Sequence, residues 1–352
     1  NYLVTLVWLL VFACFDLSRG RLQPFDMLTV TCKALFFGLN MLAAFREQIF
    51  FEASLAAGAI HFLRIVAFLY CVFVSKTLSG GQIKLYVLRL LVGLLQGCWV
   101  LVLLILNQSV KQHCLELTRP DKRTYDDIWE DVTSKEGEIL VSLKEQIRHL
   151  HVKHKMNALP RQLKMDGSPV QSLDHLYAQA AVLEWLLRDK VWQWGKTTRG
   201  MFHSLNNPRT GHFIRAAEAG SASVDVAWPG IKKVMRAVEK SARRYKDDVS
   251  YLVDVTRNSL MFERVQDICV CLETMCSDKD VVIERIKNRM DPLVETQSSA
   301  GYRDVCVNLR INTEWTEHMG CSQHLCEVQL LLTRIAKNKS DEGHMRYVQL
   351  RN

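Results

Sequence analysis

Two carboxylates interrupt apolar stretches of this chain. Asp254 lies within YLVDVTRNSLMF, and Glu327 lies within HLCEVQLLL. A carboxylate among apolar residues needs a cation, an ion pair or an exposed position to offset its desolvation. If the two stretches are neighbouring strands, their carboxylates suit Mg²⁺, which usually takes one or two carboxylates together with substrate phosphates. The alternative is an ordinary salt bridge to Arg257 or Arg334.

Positive charge precedes the first carboxylate on a segment with helical periodicity. Four basic residues recur at spacings of three and four, which places them on one helix face: Lys232, Arg236, Lys240 and Arg243. A stripe of this kind neutralises polyphosphates. The alternative is a solvent-exposed helix face without a ligand.

The stretch SAGYRDVCVNLRI has the strict alternation of a strand. Its apolar residues occupy every second position from Val305 to Ile311, and the other side carries Cys306, Asn308 and Arg310. Gly301 suits a tight turn before the strand. An aromatic and a basic side chain, Tyr302 and Arg303, therefore lie at the mouth of a predicted strand.

These side chains must be positioned by a mixed sheet flanked by helices. Charged amphipathic spacing predicts a helix over Tyr125–Lys155, and Ser172 is a suitable N-cap for a second helix. Beyond them helical and strand patterns alternate, which is typical of a mixed sheet. The predicted helices are Ile231–Tyr245 and Val265–Met275, and the predicted strands are Leu252–Phe262, Val281–Lys287, Tyr302–Ile311 and His324–Leu331.

The first part of the chain is strongly apolar. Four segments approach the ~20 residues that cross a ~30 Å hydrocarbon core: Tyr2–Phe15, Phe25–Phe45, Leu55–Val74 and Tyr86–Leu106. They predict an α-helical transmembrane bundle over residues 1–110, followed by a helical stalk over 111–171 and a folded domain over 172–352. The expectation is a multi-pass integral membrane protein with a lipid bilayer as its partner.

Charge and cysteine usage exclude two classes of protein. The net charge of +8 is spread over 352 residues without the clustered basic and aromatic residues of a nucleic-acid groove, so no nucleic-acid polymer is expected as a partner. The eleven cysteines show no spacing typical of a secreted disulfide framework. A reducing compartment is expected for the folded domain.

Five stretches, in this order, resemble the synthetase domain of RelA/SpoT enzymes: GIKKVMRAVEK, DVTRNSLMFERVQDI, AGYRDVCVNLRI, CEVQLLL and EGHMRY. They cover about residues 230–347. The resemblance implies an α/β (α+β) domain with a nucleotidyltransferase-like fold and a mixed sheet. It further implies transfer of pyrophosphate from ATP to the 3′-hydroxyl of GDP or GTP with Mg²⁺, on the cytosolic side where these nucleotides are abundant.

The resemblance also implies roles for individual residues. Asp254 would hold Mg²⁺, and Glu327 would activate the 3′-hydroxyl or help to hold the metal. Tyr302 would stack on guanine, with Arg303 near the phosphates. The remaining substrate-binding residues would be Lys232, Arg236, Lys240, Lys287 and His344.

Three positions depart from the family pattern. Gly230 stands where the family usually has an arginine, Arg236 where it has a serine, and Cys306 where it has a histidine. These changes fall on groups that grip the substrate, whereas both carboxylates are kept.

The departures leave two alternatives to alarmone synthesis. One is a nucleotide-binding or interaction domain that relays a membrane signal without catalysis. The other is a channel or transporter with a regulatory domain, which Lys33, His61 and Arg64 suggest because basic side chains at membrane depth are costly.

Overall fold

The computed structural model describes residues 80–156, 159–205, 212–218, 225–294 and 300–338. The chain divides into two compact units, Asn1–Gln112 and His113–Asn352. The sheet and all of the candidate site residues belong to the second unit.

The prediction of a multi-pass membrane protein is wrong for the part of the chain that the structure describes. No helix there is both long enough and apolar enough to cross a bilayer. Tyr86–Leu106 forms part of helix α1, Gly80–Lys153, which continues through a polar sequence. The other three predicted segments lie outside the described residues. The prediction depended on apolar composition alone, which does not distinguish a membrane span from an apolar portion of a longer helix.

Six strands form one mixed sheet in the order β2-β1-β3-β6-β5-β4. Strand β3 pairs with β6 in parallel, and the other neighbouring pairs are antiparallel. The strands are β1 Met201–His203, β2 Phe213–Arg215, β3 Thr256–Phe262, β4 Val281–Asn288, β5 Val305–Ile311 and β6 Cys326–Leu332. This confirms the predicted mixed sheet with helices.

Helices connect these strands and pack against the sheet. They are α2 Leu173–Thr197, α3 Val234–Tyr245, α4 Val265–Ser277, α5 Glu314–His318 and α6 Thr333–Lys337. A single 3₁₀ turn, Val249–Tyr251, lies between α3 and β3. Ser172 is the N-cap residue of α2 in extended conformation, although its side chain makes no capping hydrogen bond.

One face of the sheet is the main hydrophobic core. The alternation in β5 turns its apolar side chains to this face, where they pack with apolar residues of β6 and with helices α1, α2 and α4. Leu143 of α1, Leu187 of α2 and Leu272 of α4 are each fully buried in this cluster. The predicted alternation of β5 therefore determines which side chains remain on the opposite face.

The structure differs from the prediction in its shortest elements, α5 among them, and in the residues at which several elements begin. Strands β1 and β2 are absent from the prediction because each is only three residues long, too short to show a period of two. The strand predicted from Leu252 begins instead at Thr256. Asp254 therefore lies in the turn between the 3₁₀ turn and β3, where the backbone is free of the sheet ladder.

Gly301 provides a test of the packing between α1 and the turn before β5. Its φ is +84°, and a Cβ atom there would lie 2.9 Å from the Tyr125 Cβ and 3.2 Å from the Lys122 carbonyl oxygen. We expect Gly301→Ala to lower the free energy of unfolding by about 2 kcal/mol, because backbone strain and steric overlap add. Urea denaturation measures the change.

The matched control is Gly230→Ala, where a Cβ atom would meet no described atom within 4 Å. This variant should stay within about 0.5 kcal/mol of the unmodified chain. Equal effects at the two glycines would contradict the close approach of α1 to the turn.

Candidate functional site

Asp254 is a buried carboxylate, 7% exposed, held between two lysines. Its Oδ2 accepts a hydrogen bond of 2.5 Å from the Lys232 Nζ, and the Lys240 Nζ lies 2.9 Å from the same oxygen. Its Oδ1 is also buried and has no hydrogen-bond partner among the described residues. The structure thus brings together three of the predicted site residues, and the partners of Asp254 are lysines rather than Arg257.

Two hydrogen bonds to the backbone of Lys232 hold this cluster in place. The Lys232 backbone N–H donates to the Val255 carbonyl over 3.0 Å. The Tyr177 hydroxyl of α2 donates to the Lys232 carbonyl over 2.6 Å. Lys232 is therefore fixed beside the Asp254 turn, and α3 starts two residues later and brings Lys240 to the same carboxylate two turns along the helix.

The charges within the cluster shift one another. Burial raises the pKa of Asp254, but Lys240 and Lys232 together outweigh burial and lower it below its usual range. Burial also lowers the pKa of Lys232, against the attraction of Asp254. Burial lowers the pKa of Lys240, but the attraction of Asp254, Tyr245 and Glu327 outweighs burial and raises this pKa. Asp254 is ionised at neutral pH and strongly bound to cations.

Glu327 lies on the other face of the sheet from the core, in strand β6. Burial raises its pKa, and the negative charge of Asp254 raises it further. Lys240 acts in the opposite direction, so both predicted catalytic carboxylates and one predicted lysine share one electrostatic environment. A carboxylate with a raised pKa is suited to accepting a proton near neutral pH.

Strand register extends this site into a polar sheet face. Residues directly opposite one another in β3, β6, β5 and β4 form one cross-strand row of Arg257, Glu327, Asn308 and Arg285. The next row consists of Ser259, Gln329, Cys306 and Lys287. We call these two rows the polar sheet face.

Two members of this face contact Glu327 directly. The Gln329 Nε2 donates to the Glu327 Oε1 over 3.0 Å. Cys306 hydrogen-bonds to Glu327, and burial followed by the charge of Glu327 raises the pKa of this thiol well above its ordinary value. Cys306 is therefore a neutral thiol that donates to the carboxylate at the position where the resemblance predicts histidine.

The structure places Tyr302 and Arg303 in different surroundings. Tyr302 is half-buried against apolar residues of two core clusters, with its ring edge-on to Tyr125 at 6.1 Å. The Arg303 guanidinium lies 4.2 Å from the Trp129 ring centre and donates to the Arg289 and Asp291 carbonyls at 3.1 Å each. Arg303 therefore braces α1 against the turn after β4.

The other predicted residues are more dispersed. Arg236 is exposed on α3, and Lys287 is exposed at the end of the second row of the polar sheet face. Arg334, the alternative partner for Glu327, instead contacts Asp131 and Glu136 of α1. His344 lies outside the described residues.

A fit to Mg²⁺ depends on Asp254 and Glu327. The unpartnered Asp254 Oδ1 and the neighbouring Glu327 supply the oxygen donors that this ion prefers. Within the described ranges, no group of three or more His, Cys, Asp or Glu side chains forms a metal site. A metal here would thus have two protein carboxylates at most and would depend on ligand oxygens for the rest.

Solved structures of a small alarmone synthetase are among those that resemble part of this chain. The crystal structure of small alarmone synthetase 1 from Bacillus subtilis bound to its product pppGpp is 20% identical, with a TM-score of 0.24 over 29% of this chain and 51% of that chain. Another structure of the same synthetase is 20% identical, with a TM-score of 0.28 over 35% and 60%. The chain thus matches between half and three-fifths of that protein's length.

No protein-family model matches the chain, and no curated protein matches it. A structural likeness this slight supports no conclusion about activity.

Removing the Asp254 charge tests the electrostatics of the cluster. In Asp254→Asn, buried Lys232 and half-buried Lys240 lose their shared carboxylate, and we expect a loss of about 3–5 kcal/mol in unfolding free energy at pH 7. The pKa of Lys232, already lowered by burial, falls further, so the unfolded state binds more protons. Stability should therefore recover as the pH rises towards the ordinary lysine pKa of about 10.4. Urea denaturation at pH 7 and 9.5 measures both effects.

The matched control is Asp278→Asn, in the buried ion pair with Lys190. Lys190 keeps a bond of 2.7 Å to Asp280 in this variant, so the loss should be smaller, about 1–2 kcal/mol, without recovery at high pH. Equal losses of unfolding free energy in Asp254→Asn and Asp278→Asn at both pH values would show that Asp254 does not neutralise Lys232 and Lys240.

Proposed function

We propose that this domain transfers pyrophosphate from ATP to the 3′-hydroxyl of GDP or GTP. The observation that carries the proposal is the convergence of Asp254, Lys232, Lys240 and Glu327 beside the polar sheet face. Pyrophosphoryl transfer requires positioning, neutralisation of phosphate charge and a proton acceptor rather than a covalent protein group. These residues supply each of the three requirements.

Glu327 is the proton acceptor in this proposal. The ribose 3′-oxygen forms a bond to the β-phosphorus of ATP while the bond between that phosphorus and the oxygen bridging to the α-phosphate breaks. The hydroxyl proton passes to the Glu327 carboxylate, and AMP leaves. GDP gives ppGpp and GTP gives pppGpp, so the atoms balance without any oxidant or reductant.

Lys232 and Lys240 supply positive charge at the phosphates. Both ammonium groups contact one oxygen of Asp254. This contact restricts the rotamers of the two lysine side chains. Asp254 would hold Mg²⁺, and the ion would supply further neutralisation of phosphate charge. Arg257, exposed on β3 directly opposite Glu327, is an additional cation for the same phosphates.

A second candidate function is nucleotide binding without turnover. The specific observation in its favour is that two lysines already neutralise Asp254, which weakens its attraction for a metal. Cys306 in place of histidine acts in the same direction. Binding of ATP or GDP without formation of AMP would support this candidate over the first.

Turnover decides between the two candidates. The full chain, incubated with ATP, GDP and Mg²⁺, should give AMP and ppGpp in equal amounts by ion-exchange chromatography. Asp254→Asn and Glu327→Gln should each lower the rate at least about 10²-fold, since proton transfer and charge neutralisation each contribute factors of this size.

Asp278→Asn is the control for loss of a half-buried, ion-paired carboxylate outside the site. Its rate per folded molecule, with the folded fraction taken from an unfolding curve, should match the unmodified chain. Absence of product, or product that persists in both site variants, would sink the proposal of catalysis.

The pH dependence of turnover tests Glu327 as the base. Only the ionised carboxylate accepts a proton, so kcat/KM should rise with pH through the raised pKa of Glu327. Its hydrogen bond from Cys306 lowers that pKa. Cys306→Ala should therefore move the acid limb of kcat/KM to higher pH, whereas Cys306→Ser, which keeps a donor, should leave it nearly in place.

An acid limb that stays unchanged in Cys306→Ala would show that Glu327 is not the titrating base. A limb that moves equally in the serine variant would assign the shift to lost packing instead of a lost hydrogen bond.

A further inference from the structure

Asn308 occupies an unusual position in strand β5. Its Cα partners are Glu327 on one side and Arg285 on the other, so its side chain belongs to the polar sheet face. It is only 2% exposed. Its amide nitrogen, Nδ2, is buried and has no hydrogen-bond partner among the residues that the structure describes.

An unpaired buried donor is costly. Leaving such a group unsatisfied costs about 1–3 kcal/mol, whereas an apolar side chain of the same shape at this strand position would cost nothing of this kind. Buried polar groups without a partner are rare in folded proteins and call for an explanation. For a donor beside the proposed base, the direct explanation is that a ligand atom accepts its hydrogen bond.

The neighbours of Asn308 narrow the chemistry of that ligand. Gln329 and Cys306 donate to Glu327, while Asn308 is the neighbour across the strand whose donor is unused. Side chains directly opposite on antiparallel strands have Cβ atoms about 4.5–5.5 Å apart, so one small group can contact both. A donor and a carboxylate at this spacing are complementary to a group that accepts one hydrogen bond and donates another.

A hydroxyl group meets this requirement. A phosphate oxygen does not, because it only accepts hydrogen bonds at neutral pH and the Glu327 carboxylate repels it. A primary ammonium group fails for the opposite reason, because it has no acceptor for the Asn308 amide.

We propose that Asn308 is a positioning residue whose Nδ2 donates to the ribose 3′-hydroxyl oxygen of the acceptor nucleotide, while Glu327 accepts the proton of the same hydroxyl. This inference rests on the proposed function and assigns the specificity of the site for a hydroxyl acceptor. The amide fixes the oxygen lone pairs so that one of them points at the β-phosphorus of ATP.

The test combines a protein change with a ligand change. Asn308→Leu replaces the amide by an apolar group of similar shape, and 3′-deoxy-GDP lacks the hydroxyl. The full chain and the variant are titrated with GDP and with 3′-deoxy-GDP by calorimetry. We expect Asn308→Leu to weaken GDP binding up to about tenfold, the range of one hydrogen bond, and to leave 3′-deoxy-GDP binding unchanged.

Stability provides a second readout. Because the Nδ2 has no partner in the free chain, Asn308→Leu should unfold at the same urea concentration as the unmodified chain or at a higher one. A purely structural asparagine would give the reverse result, with lower stability and equal weakening of both nucleotides. Asn308→Ala serves as a second variant if the leucine side chain disturbs folding.

The matched control is Asn258→Leu on β3, which is separated from β5 by strand β6. Asn258 is 3% exposed, but its register with Val328 places it on the apolar face, and its Oδ1 accepts a hydrogen bond from the Ser259 N–H over 2.9 Å. This variant should bind both nucleotides as the unmodified chain does.

The outcomes separate this inference from the proposed function. If the unmodified chain binds no GDP, the proposed function fails and this inference fails with it. If the unmodified chain binds and turns over GDP while Asn308→Leu has the same affinity and the same kcat/KM, this inference alone is overturned. A loss in GDP affinity that persists with 3′-deoxy-GDP also overturns it, because the amide then contacts another part of the nucleotide.

Discussion

Asp254 and its two lysines form the charge balance on which the candidate site depends. A buried carboxylate of this kind is stable only with cations in contact, and here both cations come from one short segment, Lys232 before α3 and Lys240 within it. If this segment moved away from the turn before β3, the Asp254 carboxylate would remain buried without a cation in contact. Helix α3 buries Ala237 and Ser241 and packs Ala237 and Tyr245 in a small apolar cluster, and the ion pairs with Asp254 add a second attachment to the domain.

The same charge reaches the polar sheet face. Glu327 is destabilised as an anion by burial and by Asp254, and the hydrogen bonds from Gln329 and Cys306 offset part of this cost. A carboxylate in this state accepts a proton more readily than an exposed one. The ion pair that stabilises the fold thus also tunes the group to which we assign the chemistry.

Packing on the opposite face gives the site its rigidity. The apolar side chains of β5 and β6 lie in the core with α1, α2 and α4, and Arg303 ties α1 to the turn after β4 through Trp129 and two carbonyls. Tyr302, next to Arg303 in sequence, packs between α1 and the end of the polar sheet face. Arg303, which the sequence suggests as a substrate contact, therefore stabilises the packing of α1 against the turn after β4.

The sequence by itself determined the mixed sheet, the alternation of β5 and the presence of two carboxylates within apolar stretches, because these are properties of residues that are neighbours in the chain. Apolar composition predicted a membrane span over Tyr86–Leu106, which is part of the longer helix α1, because composition carries no information about the helix in which a segment is placed. Only the tertiary structure decided which charges meet. Lys232 and Lys240, rather than Arg257, pair with Asp254, and register across β5 and β6 sets Asn308 beside Glu327. These pairings depend on contacts between residues far apart in the chain, for which no local pattern exists.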